Sequence, residues 1–173
     1  MMTPKESISL RPAQEKDREL IKNIFNMYQN ELSVYSDDFL YLDENGYFAP
    51  DTADEILPFG DGVYPYIITH EGKNIGFVMI TDKRYAPEGA DYCMEEIFVV
   101  RPFRGTGAAR NAVRRLFEAH PGSWCLEVYG ENLRAKAFWT RILSEWDESA
   151  RERLLPDGLV RMKFHIRAEA DRK

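Results

Sequence analysis

A strand, a glycine turn and a helix follow one another in the stretch Val99-Val100-Arg101-Pro102-Phe103-Arg104-Gly105-Thr106-Gly107-Ala108-Ala109. The apolar run that ends at Val100 is typical of a central strand whose two faces are both covered. Gly105 and Gly107 can adopt positive φ and let a ligand approach the backbone closely. The first N–H groups of the following helix have no internal acceptors and lie at its positive end. This order predicts a central strand that leads directly into a phosphate-binding turn.

The charges around this turn favour an anionic ligand, because residues 101–115 hold five arginines and no acid. The small side chains of Ala108 and Ala109 leave the approach to the backbone open. The stretch lacks the Gly-Lys-Ser/Thr of a Walker loop, and Arg110 stands where a dinucleotide-binding fingerprint has glycine. The alternative interpretation of a Gly-x-Gly at a helix start is a tight turn that binds nothing.

Outward from this turn, the hydrophobic periodicity predicts six strands and three helices. Asp17 is expected to cap the first helix. Hairpins come first along the chain and βαβ crossovers later, which indicates a mixed α/β sheet with helices on its faces. The strands are expected at residues 8–11, 63–69, 74–81, 94–100, 124–129 and 159–166, and the helices at 17–32, 107–120 and 132–143.

Residues 33–62 form an irregular segment that is rich in Asp, Pro and Gly but also in aromatic residues. No Lys or Arg occurs anywhere between residues 23 and 72. So many rings predict a segment ordered against the core, a substrate or a partner. The acidic charge suits a cationic ligand, and a solvated surface is the alternative. The aromatic residues are Tyr35, Phe39, Tyr41, Tyr47, Phe48 and Phe59.

The bulk composition narrows the class of protein. A length of 173 residues fits one domain, and a hydrophobic fraction of 44% is ordinary for a globular core. The net charge of −6 argues against nucleic-acid binding. The sequence has neither a membrane-spanning apolar run nor a signal-peptide pattern, and Cys93 and Cys125 lack metal-ligand spacing. We therefore expect a cytoplasmic protein with no metal and with neither nucleic acid nor membrane as partner.

Residues 95–109 resemble motif A of the GNAT superfamily (GCN5-related N-acetyltransferases). The family signature Arg/Gln-x-x-Gly-x-Gly/Ala reads here Arg104-Gly105-Thr106-Gly107-Ala108-Ala109. A second stretch, Asn132-Leu133-Arg134-Ala135-Lys136-Ala137-Phe138-Trp139, resembles the family's Asn-x-x-Ala-x-x-Phe-Tyr segment. The opening Ile8-Ser9-Leu10-Arg11-Pro12-Ala13 is also similar to the start of family members.

The resemblance implies a fold as well as a motif. It implies a single α/β N-acetyltransferase domain over residues 1–173, with a mixed, mostly antiparallel sheet of about seven strands flanked by helices. A β-bulge or splay is expected in the strand at 94–100. Residues 33–62 would form the acceptor side of the domain, and residues 167–173 would form a frayed tail.

The resemblance further implies acetyl-CoA as the acyl donor and no metal. The central strand would pair with the pantetheine arm, the turn would hold the pyrophosphate, and the helix at 132–143 would lie along the thiol end. The implied residues are Ile97, Phe98 and Val99 for the pantetheine, Arg104, Gly105, Thr106, Gly107, Ala108, Ala109 and Arg110 for the pyrophosphate, and Asn132 and Phe138 for the thiol end.

In the reaction that the resemblance implies, a primary amine attacks the thioester directly in a ternary complex, and backbone N–H groups near Phe98 and Val99 polarise the carbonyl. Amines are mostly protonated at pH 7, so a base must accept a proton. Glu95 and Glu96 precede the apolar run, and strand alternation predicts that at most one faces the site. Glu95 is the favoured base. Alternatively, both are strand-end carboxylates that pair with Arg or Lys.

Trp139 stands where many family members carry the tyrosine that protonates the CoA thiolate, and indole cannot replace a phenol as an acid. Water or Tyr129 would then supply the proton, or the chain would bind acyl-CoA without efficient catalysis. A non-catalytic acyl-CoA-binding or protein-interaction module is therefore the alternative function. Edge strands and aromatic loops favour a homodimer.

The acceptor is expected to be a small cationic molecule or a peptide amine. Aromatic rings next to carboxylates suit such a ligand through cation–π contacts and ion pairs. The residues expected to bind it are Tyr28, Glu31, Tyr35 and Asp38.

Overall fold

Seven strands form one sheet in the computed structural model, which describes residues 8–48 and 60–171. The sheet order is β1-β2-β3-β4-β5-β7-β6, and every neighbouring pair is antiparallel except β4–β5. This confirms the predicted mixed, mostly antiparallel α/β fold. The strands are β1 Ile8–Pro12, β2 Val63–His70, β3 Lys73–Asp82, β4 Tyr92–Val99, β5 Gly122–Tyr129, β6 Arg151–Leu154 and β7 Leu159–Ile166; the helices are α1 Arg18–Leu32, α2 Ala108–Ala119 and α3 Leu133–Leu143.

Helices cover both faces of the sheet, because successive residues of the central strands point to opposite sides. On one face, Phe77 of β3 packs in a cluster with Ile21 and Phe25 of α1. On the other face, the next residue, Val78, packs in a larger cluster that holds the buried residues of α2 and α3. This two-sided burial explains why β3 and β4 read as nearly continuous apolar runs.

Strand β6 is the element that the sequence prediction missed. All four residues of its Arg-Glu-Arg-Leu sequence are exposed, and it lies at the edge of the sheet. A strand that buries neither face leaves no apolar alternation to detect. Ion pairs stabilise this edge instead, because the Glu88 carboxylate contacts Arg153 of β6 and both Arg161 and Lys163 of β7.

Asp17 occupies the predicted N-cap position of α1, but its side chain bonds elsewhere. A 3-10 turn at Glu15–Asp17 precedes α1, and Asp17 makes no side-chain cap to that helix. Its carboxylate instead accepts two hydrogen bonds from Arg11, at 2.7 and 2.8 Å, and one from the Gln14 amide. The hydrogen bonds from Arg11 hold the pKa of Asp17 at about 2, and the pair joins β1 to the start of α1.

The first part of the irregular segment, up to Phe48, is ordered against α1. Asn26 donates from Nδ2 to the Gly46 carbonyl at 3.0 Å and accepts from the Phe48 amide at 2.8 Å. The predicted aromatic residue Phe59 lies outside the described residues. The chain ends, as far as it is described, in a 3-10 turn at Glu169–Asp171. Among the described residues, no helix is long and apolar enough to cross a membrane.

Candidate active site

A cleft of about 1060 Å³ opens where β4 and β5 diverge. The two strands pair over only three rows, from Tyr92↔Trp124 to Met94↔Leu126. Immediately afterwards a β-bulge interrupts the pairing of β4 with β3, so that Glu95 has no partner in the register. The predicted bulge and splay of the strand at 94–100 are thus present in the structure. Beyond the bulge, the side of β4 that faces away from β3 borders the cleft instead of another strand.

The glycine turn forms one end of this cleft. Gly105 has φ of 77° and Gly107, the N-cap of α2, has φ of 90°. A Cβ built on either glycine would meet no atom within 4 Å, so the space above this backbone is open. The first helical bond runs from the Asn111 amide to the Gly107 carbonyl at 2.9 Å, which leaves the preceding amides of α2 without intrahelical acceptors. This geometry fits the pyrophosphate of an acyl-CoA.

Not every residue of the signature borders the cleft. Ala108, Ala109 and Arg110 line it, whereas Thr106 does not. The Thr106 hydroxyl donates to the Phe103 carbonyl at 2.7 Å and so braces the turn from within.

The side chain of Arg104 points into the protein, where it joins three elements. Its Nε donates to the Val99 carbonyl at 2.6 Å, and its guanidinium lies over the Phe98 ring at 5.1 Å. Its two terminal nitrogens donate to Glu31 on α1 at 2.9 and 3.0 Å. Burial raises the pKa of Glu31, but the hydrogen bonds and positive charges of Arg104 and Arg101 together outweigh it, so the pKa is lowered. Glu31, expected to bind the acceptor, is therefore paired with Arg104.

Glu95 and Glu96 both line the cleft, so the expectation that only one of them faces it is wrong. The bulge cancels the usual alternation of the strand at this point. Glu95 is exposed and accepts a hydrogen bond of 2.6 Å from the Thr81 hydroxyl. Glu96 is partly buried and accepts a hydrogen bond from Tyr28 on α1.

Glu96 has the most perturbed carboxyl group of the cleft. Its pKa is raised to about 8, chiefly by burial; the hydrogen bond from Tyr28 opposes the shift, and the nearby charge of Glu95 adds to it. Burial also raises the pKa of the Tyr28 phenol well above its usual range, so Tyr28 stays protonated. A carboxyl whose pKa lies near neutral pH is suited to exchange a proton with a substrate.

Two tyrosines that line the cleft stack on each other. The ring of Tyr35, in the segment after α1, stacks on Tyr129 of β5 with centroids 5.8 Å apart and planes 20° apart. Burial raises the pKa of Tyr129, and a hydrogen bond with Ser36 opposes that shift. Asp38, expected to bind the acceptor, does not line the cleft; its carboxylate accepts from the Ser36 hydroxyl at 3.0 Å.

The start of α3 forms the remaining wall. Asn132 caps this helix by accepting from the Ala135 amide at 3.0 Å, and Asn132 and Phe138 both line the cleft. Trp139 is only 4% exposed and belongs to the large core cluster, as expected for a core residue. Its indole packs edge-on against Phe138 at 5.0 Å. The tryptophan that replaces the family's tyrosine therefore belongs to the core and also borders the cleft.

Sequence reasoning missed several charged residues of the cleft. Glu127 of β5 pairs with Arg161 of β7, and Glu145, just after α3, pairs with Arg110. Only the alternation of the strands could have signalled the first pair, and nothing local signals the second. Within residues 8–48 and 60–171, no group of three or more His, Cys, Asp or Glu side chains could hold a metal ion. Arg134 and Arg141 of α3 also line the cleft.

Comparison with known proteins places the chain in a family. The sequence model described as "Acetyltransferase (GNAT) family" matches residues 22–144. No curated protein matches the chain. An acetyltransferase from Thermus thermophilus has 18% identity and a TM-score of 0.69, over 92% of this chain and 97% of that one.

Two further solved structures share the fold at lower identity. The ribosomal-protein-S18-alanine N-acetyltransferase from Escherichia coli has 14% identity and a TM-score of 0.62, over 96% of this chain and 98% of that one. The PaiA N-acetyltransferase from Thermoplasma acidophilum in complex with coenzyme A has 11% identity and a TM-score of 0.63, over 92% of this chain and 99% of that one. Because the family match covers well over half of its length, the chain belongs to the acetyltransferase (GNAT) family and is an acetyl-CoA-dependent acyltransferase.

Proposed function

We propose that the protein is an N-acetyltransferase that moves the acetyl group of acetyl-CoA to a primary amine in a ternary complex. The observation that carries this proposal is that one cleft is lined by the glycine turn, by the bulge of β4 and by Glu96, the carboxyl group whose pKa is raised. A solved structure with the same fold holds coenzyme A, which supports the use of this cleft for the donor.

When bound, acetyl-CoA supplies an activated acyl carbon with a thiolate as its leaving group. The chain would hold the pyrophosphate on the amides of residues 105–110 and the pantetheine along Ile97, Phe98 and Val99. Arg134 and Arg141 of α3 line the same cleft and add positive charge for the phosphates. Backbone N–H groups of β4 near Phe98 and Val99 would polarise the thioester carbonyl.

Glu96, rather than the Glu95 favoured from sequence, is the base in this proposal. The amine nitrogen forms a bond to the acyl carbon, the carbon–sulfur bond breaks, and the proton lost by nitrogen passes to the Glu96 carboxylate. The pKa of about 8 makes that carboxylate basic enough for this step. The Tyr129 phenol, whose pKa is raised by burial, is protonated at neutral pH and would donate its proton to the departing sulfur.

A cationic acceptor is supported by the tyrosines and glutamates that line the cleft. Tyr28, Tyr35 and Tyr129 line the cleft beside Glu95 and Glu96. Rings and carboxylates together bind ammonium groups by cation–π contact and ion pairing. The acceptor would be a small cationic molecule or a peptide that carries a primary amine.

Calorimetric titration with acetyl-CoA, with ATP and NAD as controls, tests donor binding, and release of free thiol in the presence of amines tests transfer. Micromolar binding of acetyl-CoA alone, followed by amine-dependent thiol release, is the expected result. Tight binding without turnover of any amine would favour the alternative, a non-catalytic acyl-CoA-binding module. Trp139 in place of the family's tyrosine is the observation that keeps this alternative in view. No binding at tens of micromolar would reject both.

A further inference from the structure

The charged side chains of the cleft divide into internal pairs and a remainder. The described lining includes five glutamates and five arginines. Three pairs are internal to the protein: Glu31–Arg104, Glu127–Arg161 and Glu145–Arg110. Within residues 8–48 and 60–171, no ion pair involves the four that remain, which are Arg134, Arg141, Glu95 and Glu96.

The remaining charges are segregated by sign. Both arginines lie on α3, whereas both glutamates are adjacent residues at the bulge of β4. The two arginines suit the phosphates of the donor. The two glutamates repel each other, and Glu95 contributes to the raised pKa of Glu96. When both are ionised, two adjacent carboxylates in a partly enclosed, aromatic-lined cleft are stabilised by positive charge, and no ion pair within residues 8–48 and 60–171 supplies it.

An acceptor with a single amine does not supply enough positive charge. As that amine reacts, Glu96 takes its proton and the nitrogen becomes neutral. Glu95 is then left as a carboxylate whose hydrogen-bond partners in the structure, the Thr81 hydroxyl and the Cys93 thiol, are both neutral. A second ammonium on the acceptor would pair with Glu95 and stay charged throughout the reaction. A carboxylate next to the reacting amine would instead be repelled by Glu95.

We propose that the acceptor is a diamine or a longer polyamine, whose second ammonium binds Glu95 while the first amine reacts beside Glu96. This inference rests on the proposed function. It makes Glu95 a specificity-determining residue and not the base.

The test compares kcat/KM for acetyl transfer to 1,4-diaminobutane, 1-aminobutane and 4-aminobutanoate, which present a second ammonium, no second charge and a carboxylate. Diamines of three to six carbons cover the unknown spacing. We expect the best diamine to exceed the monoamine by about tenfold or more, and the amino acid to be the poorest acceptor. Equal values for diamine and monoamine would overturn the inference and leave the N-acetyltransferase proposal intact. Donor binding without transfer to any amine would overturn both.

Glu95→Gln provides the second arm of the test, with Glu118→Gln as its control. Glu118 is a carboxylate of α2 that pairs with Arg114 outside the cleft. Glu95→Gln should reduce the ratio of diamine to monoamine kcat/KM toward one, chiefly by raising KM for the diamine. Glu118→Gln should keep the wild-type ratio. A ratio that survives Glu95→Gln would contradict the assignment, and since it is measured within one variant, partial unfolding would not change it.

Discussion

Glu31 and Arg104 form a bidentate ion pair that links the C-terminal part of α1 to the glycine turn, with nitrogen–oxygen distances of 2.9 and 3.0 Å. Arg104 also holds the Val99 carbonyl, so one guanidinium sets the position of α1, the end of β4 and the first residue of the turn. The helix proposed to border the acceptor and the glycine turn proposed to hold the donor are thereby joined by one side chain. Arginine is suited to this task because its planar fork matches a carboxylate.

Glu31→Gln should weaken acetyl-CoA binding although Glu31 is not expected to touch the donor. The loss of a charge-assisted pair loosens the turn, and we expect about a three- to tenfold rise in Kd together with about 1 kcal/mol lower stability. Arg104→Lys should act in the same direction, because an ammonium cannot make the two-pronged contact. Titration calorimetry and urea unfolding measure both effects, with Glu118→Gln as the exposed ion-pair control. An unchanged Kd would show that the turn does not depend on α1.

The acetylation rate should rise with pH through about 8. The pKa of Glu96 in the folded chain is about 8, above that of an ordinary glutamate, so the carboxylate that accepts the proton is formed only as the pH passes that value. Glu96→Gln should remove this inflection and lower kcat by about 10²- to 10⁴-fold, with donor affinity little changed. The profile should be recorded at a fixed concentration of neutral amine. A profile that retains its inflection near 8 in the variant would assign the titration to another group.

The same substitution should stabilise the protein at alkaline pH. Between about pH 4.3, where an unfolded glutamate titrates, and about 8, the folded chain retains a proton that the unfolded chain has released. The contribution of Glu96 to the free energy of unfolding is therefore highest below this window, falls as the pH rises through it, and is constant above it. Glu96→Gln should be more stable than wild type by about 1 to 3 kcal/mol at pH 9 and nearly equal at pH 5. Urea denaturation at pH 5 and pH 9 measures the difference in free energy of unfolding between variant and wild type. A difference that does not grow with pH would contradict the burial of a charged Glu96.

A bulky side chain at Gly107 should abolish donor binding. A matched control is Gly72, which lies in the turn between β2 and β3. Like Gly107 it has positive φ, and a Cβ on either glycine would meet no atom within 4 Å. Gly107→Trp and Gly72→Trp should therefore lose comparable stability, about 1 to 2 kcal/mol, from backbone strain. Only the first places its ring over the amides that would hold the pyrophosphate. If calorimetry shows equal acetyl-CoA affinity for both variants, the turn is not the phosphate site.

Removal of the Tyr129 hydroxyl should slow the reaction without weakening the binding of acetyl-CoA. Tyr129→Phe keeps the stack on Tyr35 but removes the phenol proposed to protonate the sulfur, so kcat should fall about 10- to 100-fold. Tyr41→Phe is the control, because Tyr41 is 83% exposed and outside the cleft. A kcat that matches the control would assign protonation of the thiolate to water.

Some features of the protein follow from contiguous sequence alone. The glycine turn was predictable because the strand, the glycines and the helix start lie within eleven neighbouring residues, and the anion site proposed there would consist of their own backbone amides. Most strands and all three described helices were also predictable, since each buries an apolar face that leaves a periodic pattern. Strand β6 escaped because it buries none.

The tertiary structure decided which side chains share the cleft. The pairing of Glu31 with Arg104 joins residues 73 positions apart, and no local pattern predicts such a contact. The bulge at Glu95 depends on the register of β3 against β4, and it turns two adjacent carboxylates to one side where alternation alone would separate them. The local backbone therefore determined the open glycine turn at which we propose that phosphate binds, whereas strand register and long-range packing determined which carboxyl is buried and is proposed as the base.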